Sequence, residues 1–296
     1  MNAPFHASIA VVLVEPAGPR NVGGVARACA NFSGGPLQLQ LRLVAPRCDH
    51  LGDEALQMAV HGRAVLEGAQ LFANLAEALA DCRHVVATSG RGEGEPLAPL
   101  DPDTALGWLW QGANASSGSG ASSGAASSTF VASSGSCADS PSGASSNGAS
   151  GPCGATCGAV VFGREDRGLS YDELLLAGQL LCIDTGAAYS SLNLAQAAAV
   201  VLQRLRVVAM ASADSPTRLP TDAMPMDPAR RDRLEDLFTA AESLLLEVGF
   251  LYPHTAHARM AKLRGLLQRS QIGETEVALL RGMVSQLRWA SRHRNP

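Results

Sequence analysis

The chain has 296 residues, of which 46% are hydrophobic and 17% charged, and its formal net charge is −4 at pH 7. This composition is sufficient for a buried core and excludes a chain that is disordered throughout. The acidic balance also excludes nucleic-acid binding through bulk positive charge, so any such contact must depend on a local basic patch.

The seven cysteines are scattered and odd in number, which argues against a disulfide framework. Cys153 and Cys157 lie four residues apart without a nearby histidine, so we predict no zinc site there and no metal elsewhere. The N-terminal residues lack the basic and apolar regions of a signal peptide, and no apolar run reaches the ~18 residues of a membrane span. We therefore expect a cytoplasmic protein with no membrane partner.

Apolar runs alternate with helical patterns along the first part of the chain. Residues 8–14 (SIAVVLV) predict a buried strand, followed by a turn-rich loop over 15–21 and a helix of small residues over 22–30. Further strands are predicted at residues 37–44 and 84–88, and further helices at 53–68, 75–80 and 106–110.

The composition changes abruptly at residues 111–157, which are almost entirely Ser, Gly and Ala. Such a segment cannot bury enough apolar area to offset its ordering entropy, so we predict a flexible insertion without a chemical role. Strand patterns return at residues 158–162 and 180–183, and helical patterns at 171–177 and 192–210. Strands alternating with helices predict an α/β fold with a parallel sheet, in a domain that spans residues 1–210.

The remainder of the chain shows a helical pattern only. Residues 211–228 contain four prolines and predict a linker. Residues 229–296 carry apolar side chains at i, i+3 and i+4, which predicts a C-terminal helical domain. This domain has eleven Lys and Arg against seven Asp and Glu, a net charge of +4. A basic helical domain on an acidic body is a candidate RNA contact, although a solvated surface or a dimer contact fits the same pattern.

Three polar segments lie beside predicted strands or open predicted helices, where α/β proteins bind ligands. They are residues 19–27 (PRNVGGVAR), 163–169 (GREDRGL) and 189–197 (YSSLNLAQA). Within them, Arg27 stands in an otherwise small and apolar helix, residues 164–167 carry four charges between two glycines, and the amides of Asn193 and Gln196 open a long apolar helix. Taken singly, the segments also fit a tight turn, a solvated loop and a helix cap.

Taken together, the three segments resemble the N-x-G-x-x-x-R, F-G-x-E-x-x-G-L and S-L-N-L motifs of the 2′-O-methyltransferase branch of the SPOUT superfamily. The resemblance covers nearly all of the chain outside the insertion and the linker. Residues 86–91 (VATSGR), 261–264 (AKLR) and 280–283 (LRGM) are similar to the bacterial enzymes of this family that methylate cytidine or uridine at tRNA position 32. The chain departs from the family pattern at the insertion and at the proline-poor stretch 182–188.

The resemblance implies a SPOUT fold with a C-terminal trefoil knot and a homodimer whose active site spans the subunit interface. It also implies S-adenosylmethionine as cofactor and tRNA, not DNA, as partner. The implied cofactor-binding residues are Thr88, Ser89, Gly90, Gly163, Ile183, Ser191, Leu192 and Asn193. The implied catalytic set is Arg27, Asn21, Glu165, Ser191 and Asn193. Because a guanidinium is effectively always protonated, we expect Arg27 to stabilise the developing alkoxide rather than to act as a general base.

Three alternatives remain at this point. The catalytic motifs do not distinguish tRNA position 32 from another tRNA position or from ribosomal RNA. An RNA-binding protein that has lost catalysis would keep the fold, but the complete catalytic set argues against it. A doubly wound nucleotide-dependent enzyme would need a dinucleotide fingerprint, which the glycine turn at residues 18–24 does not match.

Overall fold

A computed structural model describes residues 7–90, 95–118, 158–186, 191–214 and 228–293. Within these ranges the chain forms a seven-stranded sheet with helices on both faces, followed by three further helices. The strands are β1 Ala7–Val14, β2 Leu37–Val44, β3 Gln70–Phe72, β4 His84–Ser89, β5 Pro99–Leu100, β6 Gly158–Phe162 and β7 Gln179–Cys182. The helices are α1 Pro19–Phe32, α2 Asp53–Ala59, α3 Arg63–Glu67, α4 Leu75–Ala78, α5 Pro102–Gly118, α6 Tyr171–Leu174, α7 Leu194–Asp214, α8 Arg231–Glu247, α9 Pro253–Arg269 and α10 Glu274–His293.

The strand order is β3-β2-β1-β6-β4-β7-β5, and every pair is parallel. Strand β1 lies inside the sheet, where Val11 pairs with Leu41 of β2 and with Val160 of β6. A strand with helices on both faces has no solvent side, which is why β1 is a continuous apolar run rather than an alternating one. The predicted α/β fold with a parallel sheet is confirmed.

Alternate residues of β1 belong to two separate cores, as the period of two in a strand requires. Val11 and Leu13 pack in the core formed with α1, α5 and α7. Val12 and Val14 pack in the opposite core, with α4 and α6. A fully buried Val or Leu contributes about 1.5–3 kcal/mol relative to an exposed one, so the two cores hold the carboxyl ends of β1, β4 and β6 in a fixed arrangement.

Two helices depart from the predicted bounds for backbone reasons. Helix α1 begins at Pro19 rather than at residue 22, because proline is preorganised for the first helical turn. The helix predicted over residues 53–68 is interrupted by a 3-10 turn, Val60–Gly62, where Val60 has a φ of +48°. A Cβ at Gly62 would lie 2.7 Å from the Cα of Arg27, so the turn brings the backbone against α1.

The predicted start of the insertion, at residue 111, is too early in the chain. Helix α5 continues to Gly118, which places residues 111–118 in a helix rather than in a flexible segment. The reason is packing, since Trp110 and Ala113 on this helix are buried in the core. The other residues of the predicted insertion, 119–157, lie outside the described residues. Strands β3 and β5 were not predicted, because two or three residues carry no periodicity.

Helix α7 is long and apolar enough over Leu194–Ser212 to satisfy the composition of a membrane span, with a mean hydropathy of 1.4. The sequence contains no uninterrupted apolar run of that length, but the average hydropathy of the helix is high enough. Its side chains Ala198, Val201 and Leu205 are fully buried against the sheet and neighbouring helices, so α7 is a core helix of the fold. It ends at Asp214, inside the predicted linker, of which residues 215–227 lie outside the described residues.

The C-terminal helices α8, α9 and α10 form a separate apolar core that includes Phe238, Met260 and Val277, which confirms the predicted helical arrangement. Backbone and side-chain hydrogen bonds attach this domain to the sheet domain. The Arg231 N–H donates to the Cys82 carbonyl at 3.1 Å, and Trp108 Nε1 donates to Gln271 at 3.3 Å. The implied trefoil knot stays a prediction, since residues 187–190 lie outside the described residues.

Candidate active site

The loop after β6 is held against the turn between β1 and α1 by the Glu165 carboxylate. Oε1 accepts hydrogen bonds from the Gly18 N–H at 3.0 Å and from Asn21 Nδ2 at 3.1 Å. Oε2 accepts one from the Ala17 N–H at 3.1 Å. The two loops meet because β1 and β6 are adjacent parallel strands, whose carboxyl ends lie at the same edge of the sheet.

Asn193 extends this hydrogen-bonded chain to the start of α7. Its Nδ2 donates to Asn21 Oδ1 at 2.9 Å, and its Oδ1 accepts from the Ala195 N–H at 2.9 Å. The Asn21 amide must present its NH2 group to the Glu165 carboxylate, which leaves its oxygen to accept from Asn193. The order Glu165–Asn21–Asn193 thus fixes both amide orientations and joins all three sequence motifs.

The hydrogen-bond donors around the Glu165 carboxyl group favour its ionised form. Partial burial acts to raise its pKa, but hydrogen bonds from Ala17, Asn21 and Gly18 stabilise the carboxylate and bring the pKa below the usual value. A carboxylate that already accepts three hydrogen bonds is a weak proton acceptor. Its geometry favours a positioning role over that of a general base.

Arg164 is a structural residue that the sequence did not single out. Its guanidinium forms a two-point pair with Glu173, at 2.8 and 2.9 Å, and also contacts Glu15. Glu173 in turn closes a capping box with Ser170 at the start of α6. The hydrogen bond from Arg164 is the main reason that the pKa of Glu15 is lowered. These contacts hold both ends of the loop that carries Glu165.

A cavity of about 380 Å³ opens beside this loop. Its wall combines apolar side chains such as Phe162 and Leu194 with polar groups from the ends of β4 and β6. The Ser89 hydroxyl donates to the carboxylate of Glu95 at 3.1 Å, and both residues line the cavity. Glu95 was not predicted from the sequence, because it lies in a loop without a recognisable motif.

The predicted cofactor residues converge on this cavity with one exception. The residues that line it are Thr88, Ser89, Gly90, Gly163, Ile183, Ser191 and Leu192. Asn193 is not part of the wall and belongs instead to the hydrogen-bonded chain with Asn21. Gly163 has a steric reason to be glycine, since a Cβ there would lie 2.3 Å from the carbonyl carbon of Gly168.

The predicted catalytic set is only partly assembled in one chain. Asn21, Glu165 and Asn193 are joined by hydrogen bonds, and Ser191 lines the cavity beside them. Arg27 is exposed, does not line the cavity and takes no part in the hydrogen bonds that join the other three. Six residues of α-helix rotate a side chain by about 240°, so Asn21 and Arg27 lie on different faces of α1.

Comparison with known families agrees with this architecture. The model of the SpoU rRNA Methylase family matches residues 8–106 and 149–203. The model of the C-terminal domain of the tRNA methyltransferase TrmJ matches residues 232–295. The two matches therefore correspond to the sheet domain and the C-terminal helices.

Individual relatives match nearly the full chain. The tRNA (cytidine/uridine-2′-O-)-methyltransferase TrmJ of Cronobacter sakazakii is 31% identical over 98% of this chain and 99% of its own. The tRNA (cytidine/uridine/adenosine-2′-O-)-methyltransferase TrmJ of Pseudomonas aeruginosa is 29% identical over 96% and 95%. The crystal structure of TrmJ from Z. mobilis ZM4 aligns with a TM-score of 0.67 at 27% identity, covering 94% of this chain and 98% of that one. This chain belongs to the SpoU rRNA methylase family, and its C-terminal helices make it a member of the TrmJ group of tRNA methyltransferases.

Proposed function

We propose that this chain transfers a methyl group from S-adenosylmethionine to the ribose 2′-hydroxyl of cytidine or uridine in tRNA, at position 32 of the anticodon loop. The observation that carries the proposal is the double role of Glu165, which lines the cavity and anchors the chain of hydrogen bonds to Asn21 and Asn193. The C-terminal TrmJ domain favours tRNA over ribosomal RNA as the substrate.

The cavity suits S-adenosylmethionine in size and in chemistry. A volume of about 380 Å³ lies within the range of small-molecule sites. Apolar side chains of Ile183 and Leu192 offer contacts for an adenine ring, and the loops at Gly90 and Gly163 bring backbone groups to the wall. When bound there, the cofactor would supply a methyl group activated by its sulfonium, the methyl–sulfur bond breaking as the bond to the ribose oxygen forms and the hydroxyl proton passing to solvent.

The residues of the chain contribute position and charge. Glu165 holds the Asn21 amide in one orientation, and Asn21 holds Asn193 at the start of α7. We assign these residues to shaping the site where the ribose meets the cavity, since alignment of reacting atoms is a large part of such transfers. Arg27 supplies positive charge to the developing alkoxide.

A homodimer explains how Arg27 reaches an active site from which it is separated within one chain. Helix α7 exposes Val200, Val207 and Met210, whose sequence spacing places them along one side of the helix. Helix α1, which carries Arg27, packs beside α7. We propose that this face pairs with a second copy, so that Arg27 of one subunit serves the cavity of the other. We place this dimer in the cytoplasm, where it would meet tRNA.

Nucleotide-resolved mapping of 2′-O-methylation tests the proposal. Unmodified tRNA transcripts are incubated with the purified full-length protein and S-adenosylmethionine, and a transcript with a 2′-deoxyribose at position 32 serves as control. We expect one methyl group at position 32 and none on the control. Methylation elsewhere would discard the position but keep the activity. If the protein binds S-adenosylmethionine but methylates neither tRNA nor ribosomal RNA, the proposed methyltransferase activity is wrong. That result would favour an RNA-binding protein.

A further inference from the structure

Two large aromatic side chains project from the connection between α8 and α9. Phe250 and Tyr252 are 61% and 55% exposed, whereas Leu251 between them is 2% exposed. The N–H groups of Phe250 and Leu251 both donate to the Leu245 carbonyl at 2.9 Å, after a turn at Gly249 with a φ of +76°. The burial of Leu251 and these hydrogen bonds direct both rings outward from a fixed backbone.

The same segment has an unbalanced positive charge. No Asp or Glu occurs from residue 248 to residue 273, a stretch with four Lys and Arg and two His in a chain of net charge −4. Arg264 is paired with Glu235 and lies over the Phe238 ring, so its charge is neutralised within the C-terminal domain. Arg259 and Lys262 are exposed and three residues apart on α9, which places them on one face.

The aromatic and basic groups are in direct contact. Arg259 Nη1 donates to the Phe250 carbonyl at 2.9 Å, and its Cζ lies 5.8 Å from the centre of the Phe250 ring. The rings of Tyr252 and His254 are stacked at 6.0 Å with an angle of 21° between their planes. Flat π surfaces beside cationic groups are the arrangement on which unpaired bases stack while adjacent phosphates are neutralised.

We propose that Phe250, Tyr252, His254, Arg259 and Lys262 form an aromatic-basic edge that binds unpaired nucleotides of the substrate RNA. The inference rests on the proposed function, since it assumes an RNA substrate. The positive charge of the segment favours a nucleic acid as its partner. An apolar protein surface would leave Arg259 and Lys262 without a counter-charge, whereas a nucleic acid supplies bases for the rings and phosphates for the cations. The edge thus adds an RNA contact to the cavity of the sheet domain.

The test measures RNA affinity of the full-length protein by fluorescence polarisation. The probes are an unmodified tRNA transcript, a short oligouridine and an RNA duplex of the same length. Replacing both rings, Phe250→Leu with Tyr252→Leu, keeps apolar side chains but removes the π surfaces. Loss of one stacked base weakens binding on the order of 5- to 150-fold, and we expect at least this loss for tRNA and oligouridine but not for the duplex. Tyr252→Phe keeps the ring and should bind as the unaltered protein does.

The basic part of the edge is tested by salt dependence. Lys262→Ala should weaken binding of all three RNAs and reduce the slope of log affinity against log salt by about one. Arg63→Ala, which removes an exposed charge from α3 in the sheet domain, is the matched control and should leave the slope unchanged. Cofactor titration of every variant confirms that the cavity is intact.

The outcomes separate this inference from the proposed function. If the unaltered protein neither binds nor methylates RNA, the proposed function fails and the edge with it. If the unaltered protein methylates tRNA and the double leucine variant binds RNA as tightly as the unaltered protein does, the aromatic-basic edge is not an RNA contact. The proposed function is then unaffected. If the double variant keeps its RNA affinity but changes its sedimentation mass, the edge is a protein contact and the inference is overturned.

Discussion

The side-chain amide of Asn21 donates a 3.1 Å hydrogen bond to the carboxylate of Glu165, which follows it by 144 residues. The oxygen of the same amide accepts a 2.9 Å hydrogen bond from Asn193. One small side chain therefore connects the turn after β1, the loop after β6 and the start of α7. Disturbing either end of this connection should affect methyl transfer before it affects folding.

Glu165→Gln tests the connection. A glutamine replaces one acceptor oxygen with a donor, so at least one of the Ala17, Gly18 and Asn21 donors must lose its partner. We expect methyl transfer to fall by about 10- to 100-fold, since small misplacements of positioning groups have effects of that size. Because Glu165 is exposed, the cost to stability should be about 1 kcal/mol or less. Single-turnover methylation and urea denaturation measure the two effects.

Glu67→Gln is the control for this experiment, because Glu67 pairs with Arg63 on the exposed side of α3 and has no contact with the cavity. It should keep full activity. A Glu165→Gln variant that methylates at the rate of the control would show that the hydrogen-bonded chain has no role in the reaction.

Acid should weaken the fold through the pair of Arg42 and Asp81. Arg42 is 3% exposed and donates to both oxygens of Asp81 at 2.7 Å. Burial raises the pKa of Asp81, but the hydrogen bonds and charge of Arg42 outweigh this and lower it. A lowered folded-state pKa gives stability that is present above the unfolded value of about 3.9 and is lost as the pH falls through the folded value. We therefore expect the free energy of unfolding to decrease as the pH drops below about 4.

Asp81→Asn should reduce the acid sensitivity and destabilise the protein at neutral pH. The variant leaves a buried guanidinium without its counter-charge, and after allowing for the partly exposed carboxylate we expect a loss of about 1–3 kcal/mol. Urea denaturation at several pH values measures both effects. Asp103→Asn, which removes the exposed partner of Arg204, should change stability little. Equal acid sensitivity of Asp81→Asn and the unaltered protein would refute the assignment.

Gly163→Ala should weaken cofactor binding. A Cβ at this position would lie 2.3 Å from the carbonyl carbon of Gly168 and 2.4 Å from the Leu169 nitrogen, so the loop that forms the cavity wall must move. We expect the Kd for S-adenosylmethionine, measured by calorimetry, to rise at least about tenfold, the equivalent of 1.4 kcal/mol. Gly282→Ala in α10 meets no atom within 4 Å and is the matched control. Unchanged affinity of Gly163→Ala would show that the loop is not part of the cofactor site.

Arg27→Ala should abolish methyl transfer and leave cofactor affinity nearly unchanged, because Arg27 does not line the cavity of its own chain. Titration with S-adenosylmethionine and methylation of tRNA separate the two effects. A large loss of cofactor affinity would move Arg27 from catalysis to cofactor binding.

Mixing the Arg27→Ala and Gly163→Ala variants tests whether Arg27 acts on the partner subunit. If it does, dimers formed from one Arg27→Ala chain and one Gly163→Ala chain contain one site with an intact Arg27 and an intact cavity. At a cofactor concentration well below the Kd of Gly163→Ala, the two variants unfolded and refolded together should therefore be more active than either variant refolded alone. A mixture with no gain in activity would place Arg27 and the cavity of a single chain in the same site.

The sequence by itself determined the class of fold and gave a set of candidate site residues. The strand over residues 37–44 was predicted with its observed bounds, and the C-terminal domain was predicted to be helical, as α8, α9 and α10 are. These are local properties, since apolar side chains recur every second residue in a half-buried strand and every three to four in a helix. The three motifs likewise lie within short segments, so Asn21, Glu165 and Asn193 were predicted as site residues without knowledge of their contacts.

Only the tertiary structure decided how these segments meet. The contact of Asn21 with Glu165 depends on β1 lying beside β6, and strand order is not encoded in local periodicity. The continuation of α5 through Ser- and Gly-containing residues depends on the burial of Trp110 and Ala113, which composition alone does not reveal. Contacts across more than a hundred residues are selected by the packing of the whole sheet, because no single segment contains both partners.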